Sequence, residues 1–198
     1  MSIQEINLAV FHLLNVSENA SPLMMAFGRF VAHDLIYIVF ACFICAWFVS
    51  NFENKKSILK AVVITAICLS ISEVLSYTLN TPRPFVMGVG HNILDHSSTG
   101  SFPSNHMTIL SSIAFTYYYS AKRQLGKFLM AIACLVAWSR VYVGVHFPID
   151  MLGAFFITWF VNLTTLKYWN KYSNHLTTLV VKFYEKIFQY FIIKGLVR

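Results

Sequence analysis

Ser139-Arg140-Val141-Tyr142-Val143-Gly144-Val145-His146-Phe147-Pro148-Ile149-Asp150, residues 139–150, joins an apolar stretch that ends near Val145 to another that starts at Pro148. Proline suits the first turn of a helix, where its missing N–H removes no hydrogen bond, so Pro148 opens the second stretch as a helix. His146 then sits just ahead of that helix and Asp150 in its first turn. A carboxylate there can accept a hydrogen bond from one imidazole nitrogen and leave the other with a free lone pair, the arrangement of an oriented nucleophile. Helix capping by Asp150 beside a surface histidine explains the same pair. Both readings stay open on these two residues alone.

Around this segment the chain is very apolar. Of 198 residues, 57% are hydrophobic and 12% charged, against about 25% charged in an ordinary soluble domain. That composition predicts an integral membrane protein, since spans of about 20 apolar residues match the hydrocarbon thickness. Five such stretches can be drawn, at Leu35–Phe52, Ser57–Leu79, Met107–Ala121, Leu125–Val145 and Pro148–Tyr168. The fold class expected is an all-α membrane bundle of about five to six crossing helices plus interfacial helices, in one domain over residues 1–198. No repeat and no Gly/Ser/Pro-rich linker divides it. The third stretch is short, which predicts a helix starting below the membrane surface behind a partly sunken loop, and such backbone needs a polar cavity to satisfy it.

The net charge of +7 is a matter of topology rather than of nucleic acid. Lysines cluster at Lys55, Lys56 and Lys60, at Lys122 and Lys127 beside Arg123, at Lys167 and Lys171, and in the tail at Lys182, Lys186 and Lys194. None lies between Lys60 and Lys122 or between Lys127 and Lys167. The positive-inside rule puts these clusters on the cytoplasmic side and the alternate ends of the spans outside. Three sequence-distant segments then meet on the outer face: Pro82-Arg83-Pro84, Pro103-Ser104-Asn105-His106 and the stretch 139–150.

The ends of the chain are read as surface elements. Residues 1–34 are expected to form one or two interfacial helices on the outer face, with a broken extra span as the alternative. From Tyr172 onward, Lys182, Glu185, Lys186 and Gln189 oppose Leu179, Val180, Phe183, Ile187 and Phe191 at helical spacing, which predicts a separate amphipathic helix on the cytoplasmic surface. The start lacks the basic region of a cleavable signal. Cys42 and Cys45 form a C-x-x-C, and with Cys68 and Cys134 they read as packing residues in apolar runs.

The outer-face residues suit a phosphate. Arg83 and Arg140 stand in or near hydrocarbon, where snorkelling explains either alone, but forked recognition of phosphate oxygens explains why both are arginine. Ser104 opens the third span, either as a cap or as part of an anion site built on the free N–H groups of the helix.

These segments resemble the motifs of the type 2 phosphatidic acid phosphatases, a family that shares its site with vanadium haloperoxidases: Lys-x6-Arg-Pro, then Pro-Ser-Gly-His, then Ser-Arg-x5-His-x3-Asp. Residues 83–84, 103–106 and 139–150 match in order, the last completely. The resemblance implies a two-step phosphohistidine mechanism without metal or other cofactor. His146 would attack phosphorus and Asp150 would hold its tautomer. His106 would protonate the leaving oxygen and later activate water. Arg83, Arg140, Ser104 and backbone N–H groups near Asn105 would stabilise the equatorial oxygens.

Two positions depart from the family. Asn105 stands for its glycine, and asparagine tolerates left-handed backbone, so the loop shape is expected to survive. Ser76 stands where the family lysine is expected, seven residues before Arg83. Glu73, one turn earlier, is an intramembrane carboxylate and an accessory candidate, as is Ser139. The missing lysine, the small size and the compact loop resemble the bacterial undecaprenyl-diphosphate phosphatases of the bacitracin-resistance type. This implies a polyprenyl diphosphate lipid as partner in the bilayer, a bacterial plasma-membrane location and a site on the periplasmic or extracellular face. A phosphotransferase to lipid A, a phosphatase for another lipid phosphate and a non-enzymatic anion-binding or lipid-transport subunit are the alternatives. His33 and Asp34 read as an interfacial pair that could line the site. His91, Asp95 and His96 read as headgroup contacts or solvated loop residues rather than a metal site.

Overall fold

The structure, a computed structural model, describes residues 1–197 and is helical, with no strand among them. Helix α1 (Ile3–Leu14) starts on a capping box, with Ser2 Oγ accepting from the Glu5 N–H and the Glu5 carboxylate accepting from the Ser2 N–H. Helix α2 (Pro22–Arg29) is capped by Ser21. It runs through a π-helical segment, Phe30–Asp34, directly into α3 (Leu35–Val49). Residues 22–34 are therefore not an interfacial helix separate from the first span. They are its first part, and the apolar helix covers Pro22–Val49. His33 and Asp34 do not break it, because their side chains bond to each other at 2.7 Å.

Helix α4 (Phe52–Leu79) starts five residues before the expected Ser57 because Asn51 caps it through the Asn54 N–H, and it stops at Asn80 in a left-handed conformation. Helix α5 (Asn105–Tyr118) has 14 residues, ten of them buried. At 1.5 Å per residue it is about 21 Å long, less than the roughly 30 Å of hydrocarbon. It does not face lipid but lies inside the bundle, packed on α4, on α6 (Arg123–Tyr142) and on α7 (Pro148–Ile193).

The sequence of α5 shows why it can be enclosed. Its hydroxyl-bearing residues bond across to neighbouring helices: Thr108 to Ser72 at 3.1 Å, Ser112 to Thr65 at 2.6 Å, Ser111 to Thr158 at 2.8 Å and Thr116 to Asn162 at 3.0 Å. Small polar side chains of this kind let helices approach closely and satisfy one another away from water. The four long apolar helices, Pro22–Val49, α4, α6 and α7, form the outer staves.

Helix α7 has 46 residues, about 69 Å, more than twice the hydrocarbon thickness. The separate tail helix expected from Tyr172 is thus a continuation of α7, since no glycine or proline between Gly153 and Gly195 stops it; only Phe188 leaves helical geometry. The buried stripe also differs from the one expected. Ser173, Thr177, Val181 and Tyr184 are buried, whereas Leu179, Phe183, Ile187 and Phe191 stay exposed. Tyr184 packs against Trp47 and Phe48 at the end of α3 and lies under the Lys55 ammonium, 3.9 Å from its ring centroid.

Lys122 Nζ donates to Asn54 at 2.6 Å and Lys56 Nζ to Asn174 at 2.6 Å, so lysine clusters distant in sequence meet at one end of the bundle. Arg83, Ser104 and His146 lie at the other end.

Candidate functional site

Four pieces of chain converge at that end: residues 80–104 after α4, the first turn of α5, the turn 143–147 with the start of α7, and the π-helical segment. The turn between α6 and α7 depends on Gly144, whose φ of +84° is open to glycine at little cost. It ends α6 at Tyr142, three residues before the expected Val145, and delivers His146 to the interior, 2% exposed.

His146 Nδ1 lies 3.2 Å from Asp150 Oδ2 and 3.3 Å from Ser101 Oγ. Asp150 Oδ2 also accepts from Ser101 Oγ at 2.6 Å and from the Phe147 N–H at 2.8 Å. Since the Ser101 proton goes to the carboxylate, both oxygens facing Nδ1 are acceptors, and the imidazole proton belongs on Nδ1. Nε2 then carries the lone pair. Arg83 Nη1 is 3.0 Å from Nε2 and 3.5 Å from Nδ1. An atom on the in-plane lone-pair axis of one ring nitrogen would be much farther from the other, so the guanidinium lies against the ring face and leaves the lone pair clear. Burial first, then the charges of Arg140 and Arg83, holds the His146 imidazole well below the ordinary histidine range. It is neutral at pH 7.

The two arginines differ in what occupies them. Arg83 is 5% exposed, and each of its nitrogens donates to a backbone carbonyl: Nε to Thr99 at 2.9 Å, Nη1 to Val145 at 3.0 Å and Nη2 to Gly100 at 3.1 Å. It pins the loop to the turn that holds His146. Arg140 is 1% exposed and donates from Nη1 to the Ala32 carbonyl at 3.1 Å, while Nε and Nη2 have no partner. Ser104 is wholly buried and its Oγ also has no partner. It terminates α5 through its backbone but makes no side-chain cap, so the capping explanation of this serine fails. A buried guanidinium with two idle nitrogens and an idle hydroxyl are costly to leave unmatched. Donors of this kind are what an oxyanion would satisfy.

His106 sits in the first turn of α5, half-buried, without a hydrogen bond among the described residues and within electrostatic range of Arg140, His146, His96 and His33. Asn105 is helical rather than left-handed, and its side-chain nitrogen donates to Glu73 Oε1 at 2.6 Å. Substitution of the family glycine therefore ties the start of α5 to α4. Ser139 Oγ donates to the Val136 carbonyl at 2.8 Å, so its hydrogen stays within α6.

At Ser76 the chain packs closely against the loop after α4. The loop backbone at Gly100 lies on this residue: an added Cβ at Gly100 would come within 2.6 Å of the Ser76 carbonyl oxygen, and Ser76 Oγ bonds the Gly100 carbonyl at 3.3 Å.

Two contributors escaped the sequence, and a third, His96, stood out there only as a headgroup contact or solvated loop residue. Ser101 bridges His146 and Asp150, yet a serine in a loop carries no signal of its own. Ala32 supplies its carbonyl to Arg140 from a π-helical segment, and such register changes are frequent at functional sites. His96 comes within 6.0 Å of His146, ring centroid to centroid. Its Nδ1 faces the Ser97 carbonyl at 3.0 Å, and burial first, then Arg83 and Arg140, brings it down to about 4. Among the described residues no group of three or more His, Cys, Asp or Glu side chains is placed to hold a metal ion.

If His146 acts as the geometry suits it to, Ser101 positions it, with a measurable signature. Ser101→Ala should lower kcat about tenfold with little change in KM, because it removes a hydrogen bond to a charged group of about 1.5–3 kcal/mol without touching a phosphate contact. Ser101→Thr should restore the rate. Equal losses in both variants, or a change confined to KM, would show that the hydroxyl does not orient the imidazole.

An apolar helical bundle with a buried imidazole–carboxylate pair, a second histidine without a hydrogen bond among the described residues and idle buried donors has the makings of a membrane phosphate-transfer site. Residues 57–174 match the PAP2 superfamily, and the chain belongs to that family of membrane phosphatases. It is 31% identical over 99% of both chains to a protein of Escherichia coli called putative undecaprenyl-diphosphatase YbjG. It is 24% identical to the undecaprenyl-diphosphatase BcrC of Bacillus subtilis, over 91% of this chain and 93% of that one. Among solved structures, LpxE of Aquifex aeolicus superposes with a TM-score of 0.65 at 27% identity, covering 84% of this chain and 99% of that one. A phosphatidylglycerolphosphate phosphatase of Bacillus subtilis, at 21% identity and a TM-score of 0.61 over 85% of this chain and 87% of that one, shares the fold.

Proposed function

We propose that this phosphatase hydrolyses undecaprenyl diphosphate to undecaprenyl phosphate and inorganic phosphate, through a phosphohistidine at His146, on the outer face of a bacterial plasma membrane. In the first step Nε2 of His146 attacks the terminal phosphorus, the bond from phosphorus to the bridging oxygen breaks, and His106 gives that oxygen a proton. In the second, His106 takes a proton from water, the water oxygen attacks phosphorus, and the P–N bond breaks to release phosphate. Arg140 and Ser104 hold the equatorial oxygens throughout, and Asp150 with Ser101 keeps the Nδ1 proton in place.

The observation that carries this reading is that Arg140, within electrostatic range of the neutral, oriented His146, is buried with two idle nitrogens, and that buried Ser104 Oγ at the same end of the bundle is idle as well. The diphosphate lipid is supported by the relatives named undecaprenyl-diphosphatase. The outward face is supported by the gathering of lysines at the far end of the bundle.

Phosphate release by the purified protein, measured across undecaprenyl diphosphate, phosphatidic acid and phosphatidylglycerophosphate, should give the highest kcat/KM for the diphosphate. A higher value for a monophosphate lipid would overturn the substrate assignment. With labelled diphosphate and lipid A both present, the label should appear as free phosphate; label on lipid A would make the enzyme a phosphotransferase.

A further inference from the structure

At the end of the bundle opposite His146, the first turns of α4, the last turn of α5 and α7 near residue 170 enclose a cavity of about 170 Å³, open on one side. Lys60 lies 19 residues before the end of α4, about 29 Å along the helix, so the cavity is remote from the catalytic histidines. Lys56, Ser57 and Lys60 line one wall from α4, and Trp169 and Asn170 line another from α7.

Lys60 is 7% exposed. Among the described residues, its ammonium has neither a hydrogen-bond nor an ion-pair partner. Glu53 lies at the rim, exposed, and forms no ion pair with Lys56 or Lys60. The Lys60 stem is buried while its ammonium, not among the fully buried unpaired atoms, opens onto the cavity. Here the head group remains against a cavity that contains further donors. Lys56 Nζ is held there by Asn174 with two hydrogens left over. The indole N–H of Trp169 has no partner among the described residues. A phosphate group with a few waters fits the volume, given about 30 Å³ per water.

The surroundings favour a lipid as the source of that phosphate. Trp169 and Tyr119 are the amphipathic aromatics that settle at headgroup level. The lysine clusters meeting at this end present a basic surface of the kind that collects anionic lipids. We propose that the cavity binds the phosphate of an anionic phospholipid from the leaflet opposite the catalytic site, with Lys60 as its central contact.

Native mass spectrometry of the full chain titrated with phosphatidylglycerol tests this. The wild type should retain lipid, Lys60→Met should bind it about tenfold more weakly through loss of a charge-assisted contact, and Lys60→Arg should retain it. Ser57→Leu, which fills the cavity from a helix without removing a charge, should weaken retention comparably and carries the test if Lys60→Met does not fold. In lipid-free detergent, a rise of Tm with inorganic phosphate in the wild type but not in Lys60→Met would support the same site with free phosphate as its source. Lipid and phosphate binding undiminished in both Lys60→Met and Ser57→Leu overturns the proposal. Neither residue belongs to the catalytic end, so phosphate release by both variants should match the wild type, and the outcome is independent of the reaction proposed above.

Discussion

His146→Ala should abolish phosphate release from undecaprenyl diphosphate, by on the order of 10⁴-fold or more, because in the proposed mechanism it removes the atom that forms the bond to phosphorus. The protein should still fold. Asp150 keeps two of its donors, the Ser101 hydroxyl and the Phe147 N–H, and Arg83 keeps its three carbonyl partners. Circular dichroism and the melting profile should therefore resemble the wild type. Rapid quenching of the wild type at alkaline pH with labelled substrate should trap label on protein, and the variant should trap none. An active His146→Ala protein would sink the nucleophile assignment.

The pH dependence follows with a definite sign. A protonated imidazole has no lone pair, so activity is lost as pH falls through the folded pKa of His146. Burial and the flanking arginines hold that pKa well below the ordinary value, so the acid limb of kcat/KM due to this group should lie below pH of about 6.5.

Arg140→Lys should lower kcat/KM by about 10²–10³-fold even though it keeps the positive charge. Arginine presents a planar fork, with Nη1 anchored on Ala32 and Nε and Nη2 idle in the site. A lysine offers one flexible point charge and cannot hold the Ala32 carbonyl and two phosphate oxygens at once. Two charge-assisted hydrogen bonds of about 1.5–3 kcal/mol each are at stake, partly offset by the remaining charge. Inhibition by inorganic phosphate should weaken in parallel. Retention of wild-type kcat/KM within about threefold would show that Arg140 acts only as a structural cation.

Much of the site was legible in the sequence because its chemistry is carried by residues that are expensive in an apolar chain. Arg83, Arg140, His146 and Asp150 are conspicuous in lysine-free, hydrophobic surroundings, and Pro148 places two of them at a helix start. Ser101 and Ala32 were not legible, and His96 was legible only as a headgroup contact or solvated loop residue. A loop serine, a backbone carbonyl and one of several loop histidines acquire a role only from what folds against them. The same distinction separates the two arginines, equal in sequence terms. Folding engages Arg83 with three carbonyls and leaves Arg140 with idle nitrogens.

Helix boundaries show the limits of periodicity. Residues up to 34 read as interfacial and the first span as starting at Leu35, but His33 and Asp34 satisfy each other and one helix runs from Pro22 to Val49. The tail looked like an independent amphipathic helix, yet nothing in it stops α7, and its buried face is set by the ends of α3 and α4 rather than by its most apolar stripe.

By itself the sequence determined the membrane class, the order of the three motifs and the separation of basic from catalytic ends, since all three depend on composition and on where charge can stand in lipid. Tertiary structure decided which buried donors remain without a protein partner, which nitrogen of His146 carries the proton, and that the Gly100 backbone packs on Ser76. Those depend on distances of a few tenths of an ångström between segments far apart in the chain, and no local pattern of residues encodes them.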